Sequence, residues 1–135
     1  MNCSICPRKC NADRENSVGF CKSPAEFRLA RAALHFWEEP CISGEEGSGT
    51  VFFSGCSLHC VFCQNESIAN GTVGKVITIE RLVEIFLELQ GQGANNINLV
   101  TPGHFIPQIR EALILAKKQG LILPIVYNTA SYESV

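Results

Sequence analysis

No hydrophobic run in this chain reaches the length of a membrane span. The longest covers residues 121–127 (LILPIVY), where a spanning helix takes about twenty residues. Lysine and arginine form no run or stripe, and a net charge of −2 leaves no electrostatic footprint for nucleic acid. The first ten residues, MNCSICPRKC, lack the apolar stretch of a secretion signal. Charged residues are sparse, 18% against 46% hydrophobic, which excludes a disordered, highly charged polymer. The 135 positions suit one ordinary domain, and a chain of this size buries roughly two thirds of the surface its unfolded form exposes. No internal repeat or low-complexity segment is present.

Cysteine, by contrast, is plentiful: Cys3, Cys6, Cys10, Cys21, Cys41, Cys56, Cys60 and Cys63. An even count admits disulfides, but without a secretion signal the clustered spacing favours metal and a reducing cytoplasm. Cys56, Cys60 and Cys63 make a C-x3-C-x2-C loop directly after an apolar strand candidate, residues 50–54. A structural zinc wants four ligands closing a tetrahedron. Three thiolates on one tight loop suit instead a four-iron four-sulfur (4Fe–4S) cluster with one iron left open to a small molecule. Cys3, Cys6, Cys10 and Cys21, spaced C-x2-C-x3-C-x10-C, are a complete ligand set for either zinc or an auxiliary cluster. Arg8, Lys9, Arg14 and Lys22 lie among them and offset thiolate charge. Cys41 is left over and reads as a small buried hydrophobe.

The chain divides into a Cys-rich module (1–24), a lead-in segment and loop (25–49), and a regular α/β part (50–135). Local rules favour a helix in the lead-in, with Ser23 and Glu26 as a capping box around Pro24. From residue 50 the expected order is a strand, the cysteine loop, a helix with Leu82, Ile85, Phe86 and Leu89 as its apolar stripe, a strand over 96–100, a helix over 106–119 and a strand over 121–127. Such a βαβαβ order predicts parallel strands with right-handed crossovers. No G-x-G-x-x-G follows the first strand, so a β/α barrel, whose sites gather at the C-terminal ends of the strands, is favoured over a Rossmann-type sheet.

The motif C-x3-C-x-aromatic-C, with Phe62 as the aromatic, resembles the radical S-adenosylmethionine (SAM) superfamily. The wider FFSGCSLHCVFCQN, NLVTPGH (98–104) and YNTASYES (127–134) are similar to the branch related to pyruvate formate-lyase activating enzyme. The resemblance implies a partial (β/α)6 TIM-like barrel, of which this chain is the N-terminal half, since a full eight-unit barrel takes ~250 residues. It implies an extended lead-in rather than the helix. It also implies that Cys56, Cys60 and Cys63 hold a 4Fe–4S cluster whose fourth iron takes the amino and carboxylate groups of SAM. One electron then cleaves the sulfonium to methionine and a 5′-deoxyadenosyl radical. Implied cofactor contacts are Phe62 beside the adenine, Gly103 and His104 at the end of the second strand, and Asn128 and Thr129 at the end of the third. Relatives carry an acid after the glycines of the second-strand turn, where this chain has TPGH, and Asp-Thr where this chain has Asn128-Thr129. Implied partners are SAM, an electron donor such as flavodoxin or ferredoxin, and a glycyl radical enzyme. Two other readings compete: a zinc-binding structural module using the eight cysteines, and an iron–sulfur electron carrier without SAM chemistry.

Overall fold

The computed structural model describes residues 2–134. A five-stranded mixed sheet runs through it in the order β3-β1-β2-β4-β5. The strands are β1 (Arg28–His35), β2 (Ser48–Phe53), β3 (Lys75–Val76), β4 (Ile97–Val100) and β5 (Ile125–Asn128). Strands β2, β4 and β5 are parallel neighbours, with Val51 opposite Leu99 and Leu99 opposite Tyr127. Helix α3 (Ile79–Gly91) joins β2 to β4, and α4 (Ile106–Lys118) joins β4 to β5. The expected βαβαβ unit is therefore present. Two short helices, α1 (Pro40–Ser43) and α2 (Glu66–Ala69), lie in the loops.

The lead-in is a strand, not a helix. β1 pairs antiparallel with β2, Leu29 opposite Phe53 through to His35 opposite Ser48, with an irregularity between Leu29 and Arg31. Its other edge takes β3, Arg28 opposite Val76. Pairing along β2, with β3 added at Arg28 and Leu29, outweighs the local helix signal, because capping contributes about 1 kcal/mol and the ladder gives backbone groups along the strand their partners. The same pairing starts β2 at Ser48, two residues before the expected Thr50. β5 is shorter than the expected 121–127. Pro124 has no N–H to give a ladder, so pairing begins at Ile125, while the Pro124 carbonyl accepts from Ile97 N at 3.0 Å.

The stripe read from the sequence is the buried face of α3: Leu82, Ile85, Phe86 and Leu89 pack with Val51, Phe53, Ile97 and Leu99 of the sheet and Ile109, Ala112 and Ala116 of α4. Phe27, just before β1, stacks edge-on against Phe105 at 5.1 Å and tilted on Phe53 at 5.7 Å. Thr78 caps α3, its hydroxyl accepting from Arg81 N at 3.1 Å. Cys41, expected in the core, is exposed on α1. No helix among the described residues is long and apolar enough to cross a membrane.

Candidate functional site

The site lies where the parallel strands end. β2 stops at Phe53, and Ser54 and Gly55 turn the chain out of the sheet into the cysteine loop. Three bonds pin the turn: Ser54 N donates to Arg28 O at 3.1 Å, Gly55 N to Ile68 O at 2.8 Å and Cys56 N to Cys21 O at 3.0 Å. Gly55 has φ +92°, and a Cβ there would run into Ser23 Oγ and stand 2.5 Å from Cys21 O. Replacing Gly55 with alanine therefore adds a disfavoured backbone to a steric clash, and should cost about 2–4 kcal/mol. Urea unfolding of the metal-free protein measures this; a loss under about 0.5 kcal/mol would mean the turn relaxes freely.

All eight cysteines are free thiols, and Cys56, Cys60 and Cys63 are each partly exposed. Cys60 and Cys63 border a hollow of about 200 Å³ with His59, Glu66 and Asn70. Cys63 and Cys56 border a second, of about 60 Å³, which reaches Val100 and Thr101 at the end of β4. Cys63 is common to both hollows. Leu58 N lies 3.4 Å from Cys56 Sγ, a backbone donor of the kind that tunes a bound cluster. No group of three or more His, Cys, Asp or Glu among the described residues is arranged around a single metal ion. A cluster distributes its thiolates over several irons, and three free, part-exposed sulfurs on one loop fit that object.

Phe62 is 87% exposed, so its ring does not plug the core and is free to meet a ligand. Asn65 steadies the loop with its carbonyl, which accepts from Ile68 N at 3.1 Å and Ala69 N at 2.9 Å, rather than with its side chain. His59 has φ +54° and ties the cysteine loop to the N-terminal segment. Its Nε2 meets Phe20 O at 3.0 Å, and its ring stands edge-on to Phe20.

Gly103 and His104 begin a single 3-10 turn, Gly103–Phe105. His104 is buried behind the cysteine loop, its Nε2 2.8 Å from Ser54 O. A carbonyl only accepts, so Nε2 carries the proton, and the buried Nδ1 has no partner. Burial, more than Arg14 or His59 nearby, holds the imidazole down to about 4 despite the Ser54 carbonyl. An unfolded histidine titrates near 6.5. Between those values the unfolded chain binds a proton that the folded chain refuses. Stability is thus full above pH 6.5 and falls as pH drops, by on the order of 3 kcal/mol at pH 4. Urea midpoints of the metal-free protein at pH 7 and 5 should differ, and His104→Asn should reduce the difference; an unchanged slope would assign it elsewhere.

Asn128 and Thr129 are exposed, and Thr101 N donates to Asn128 O at 3.0 Å. Thr101 itself has φ +54°. Glu133, which the sequence reading did not single out, joins these loops. Thr129 Oγ1 donates to Glu133 Oε1 at 2.7 Å, and the same carboxylate lies so close to Gly103 that a Cβ there would be 2.6 Å from Oε2. Burial and then Glu133 push the Tyr127 phenol up to about 12. An acid thus stands at the second-strand turn after all, delivered from the third loop. Only a fold-level reading brings Glu133 to Gly103, thirty positions earlier.

Arg14 is the other residue whose role was missed. It is 6% exposed and donates to Ser23 O, Pro24 O and His104 O, the last at 3.0 Å. Cys3 Sγ lies 3.9 Å from its Nη1. Arg8 Nε donates to Ser57 O at 3.0 Å while its guanidinium covers Phe20 at 3.9 Å. Residues 2–24 are therefore bound to the cysteine loop through side chains of both segments.

An uncharacterized protein of Methanocaldococcus jannaschii is 29% identical over 145 residues, covering 99% of this chain. The chain spans 40% of that relative's length. No solved structure matches. The radical SAM superfamily domain matches residues 50–134, more than half of the sequence, and the chain belongs to that superfamily.

Proposed function

We propose that this chain carries the SAM-cleaving site of a radical SAM enzyme, with Cys56, Cys60 and Cys63 as the ligands of a 4Fe–4S cluster. The observation that carries the reading is three free, part-exposed thiols on the loop after β2, bordering two hollows, of which the one shared by Cys56 and Cys63 reaches the end of β4. A cluster held by Cys56, Cys60 and Cys63 would supply one electron to the sulfonium of SAM, for cleavage to methionine and a 5′-deoxyadenosyl radical. The residues bind, orient and shield. Phe62 offers an exposed ring to the adenine, and the backbone at Gly103 allows close approach. Glu133, between Gly103 and Thr129, offers negative charge to the ammonium of SAM, with Asn128 and Thr129 shaping the same edge. His104 holds Ser54 from behind and so acts as a positioning residue.

The parallel order β2-β4-β5, with α3 and α4 between, supports reading residues 50–134 as the first units of a partial (β/α)6 barrel. FFSGCSLHCVFCQN supports the branch related to pyruvate formate-lyase activating enzyme. On that reading the electron donor is a flavodoxin- or ferredoxin-type protein, the partner a glycyl radical enzyme, and the compartment the cytoplasm. Anaerobic reconstitution with iron and sulfide tests the core claim. A brown protein whose electron paramagnetic resonance (EPR) spectrum changes on adding SAM is expected. Colourless protein holding zinc would favour the structural module, and colour with no response to SAM the electron carrier.

A further inference from the structure

We propose that Cys3, Cys6, Cys10 and Cys21 hold a second polynuclear iron–sulfur centre, with Arg14 as its buried counter-charge and one hydrogen bond between it and the first.

Two short turns present these cysteines. The first pairs Cys3 N with Ala12 O at 3.0 Å and Asn11 N with Cys3 O at 3.1 Å, and closes through Lys9 N on Cys6 O at 3.0 Å. The second runs from Gly19 to Ser23, with Lys22 N on Gly19 O at 2.9 Å. Lys9, Asn11 and Lys22 all take positive φ, 41°, 53° and 60°, a cost for residues with side chains. The turns face each other. A Cβ on Gly19 would stand 3.3 Å from Cys21 Sγ and 3.6 Å from Cys10 Sγ, so two thiols eleven positions apart share the space that the glycine leaves open. Cys3 Sγ is held near Arg14, whose Cδ borders the same space at 3.8 Å.

Arg14 supplies the second line of reasoning. A desolvated guanidinium is costly unless an anion answers it. Its hydrogen-bond acceptors are neutral carbonyls and the Cys3 sulfur, and among the described residues it makes no ion pair with a carboxylate. Metal-bound cysteine is a thiolate, so a centre held by these sulfurs provides the missing negative charge.

A single zinc takes four sulfurs at about 2.3 Å from one point, and no three ligating side chains among the described residues are placed so. A polynuclear centre takes its thiolates at separate irons, which is the arrangement the proposal assigns to these four cysteines. The two sets meet where Cys56 N donates to Cys21 O.

Anaerobic reconstitution followed by iron, sulfide and zinc analysis decides the matter. Two 4Fe–4S clusters give roughly eight irons and eight sulfides per chain. Cys10 is exposed, so Cys10→Ser should fold, fall to about four irons and keep the SAM-dependent EPR change. The doubly reduced protein should show EPR broadening from the neighbouring spin, absent in that variant. One zinc beside four irons, or about four irons that Cys10→Ser leaves intact, overturns the proposal. The wild-type count distinguishes these outcomes even if a variant misfolds, and a missing SAM response at eight irons would fault the SAM reading instead.

Discussion

Cys60→Ala is expected to reduce 5′-deoxyadenosine formation to the background of protein-free iron and sulfide. On the proposed reading three thiolates are the whole protein ligand set on this loop, and removing one leaves two irons held and two unheld. The thiol is partly exposed, and it lies away from the core formed by Phe53, Phe86, Phe105 and Leu82. Folding should therefore survive, with a urea midpoint within about 0.5 kcal/mol of wild type in metal-free protein. That separation is what makes the variant informative, since activity disappears while the sheet remains. Product chromatography after anaerobic incubation with SAM and dithionite measures the effect. Retention of more than about a tenth of wild-type product per chain would mean that Cys60 is not a ligand, and another donor would have to be sought near Glu66 or Asn70, which border the same hollow.

Arg14→Met is expected to give the largest loss of stability. The substitution keeps most of the length and apolar stem of the side chain but removes every donor. Carbonyls of Pro24 and His104 then lose their Arg14 donors, while Ser23 O keeps Gly19 N. Each stranded buried acceptor costs about 1–3 kcal/mol, so a total on the order of 3–5 kcal/mol is expected, tempered by relief from burying a charge. The guanidinium also lies 5.2 Å over the Phe105 ring, a contact that methionine only partly restores. Limited proteolysis should cut within residues 2–24 faster than in wild type, because Arg14 joins that segment to His104 and hence to the end of β4. Denaturant unfolding gives the magnitude. A variant as stable and as protease-resistant as wild type would show that the apolar stem, not the donors, secures the segment.

Much of this architecture was legible before any coordinates. The stripe of Leu82, Ile85, Phe86 and Leu89 has helical period, and α3 and α4 stand within a residue or two of where periodicity and glycine placed them. The parallel order followed from alternation of strand and helix. The lead-in was ambiguous for a physical reason: its helix signal is local, whereas the pairing that makes it β1 depends on β2 and β3, far along the chain. Pro124 signalled the late start of β5 and was underweighted. Within the site, the cysteine loop stands out in the sequence because its spacing is a local property. Glu133 and Arg14 do not, since a carboxylate beside Gly103 and a guanidinium behind His104 are created by folding. His104 illustrates the converse: a histidine at a strand end has the look of a ligand, and only burial against Ser54 shows it supporting the loop from behind.

Thr101 holds a backbone angle that a β-branched residue adopts with reluctance. It does so at the place where β4 meets the edge of the hollow shared by Cys56 and Cys63, tied by its N–H to the end of β5. A small reserve of conformational tension therefore sits at the seam between two neighbouring strand ends. Relaxing it would make the chain sturdier and at the same time let that seam drift, so firmness of fold and accuracy of alignment pull in opposite directions at this single position.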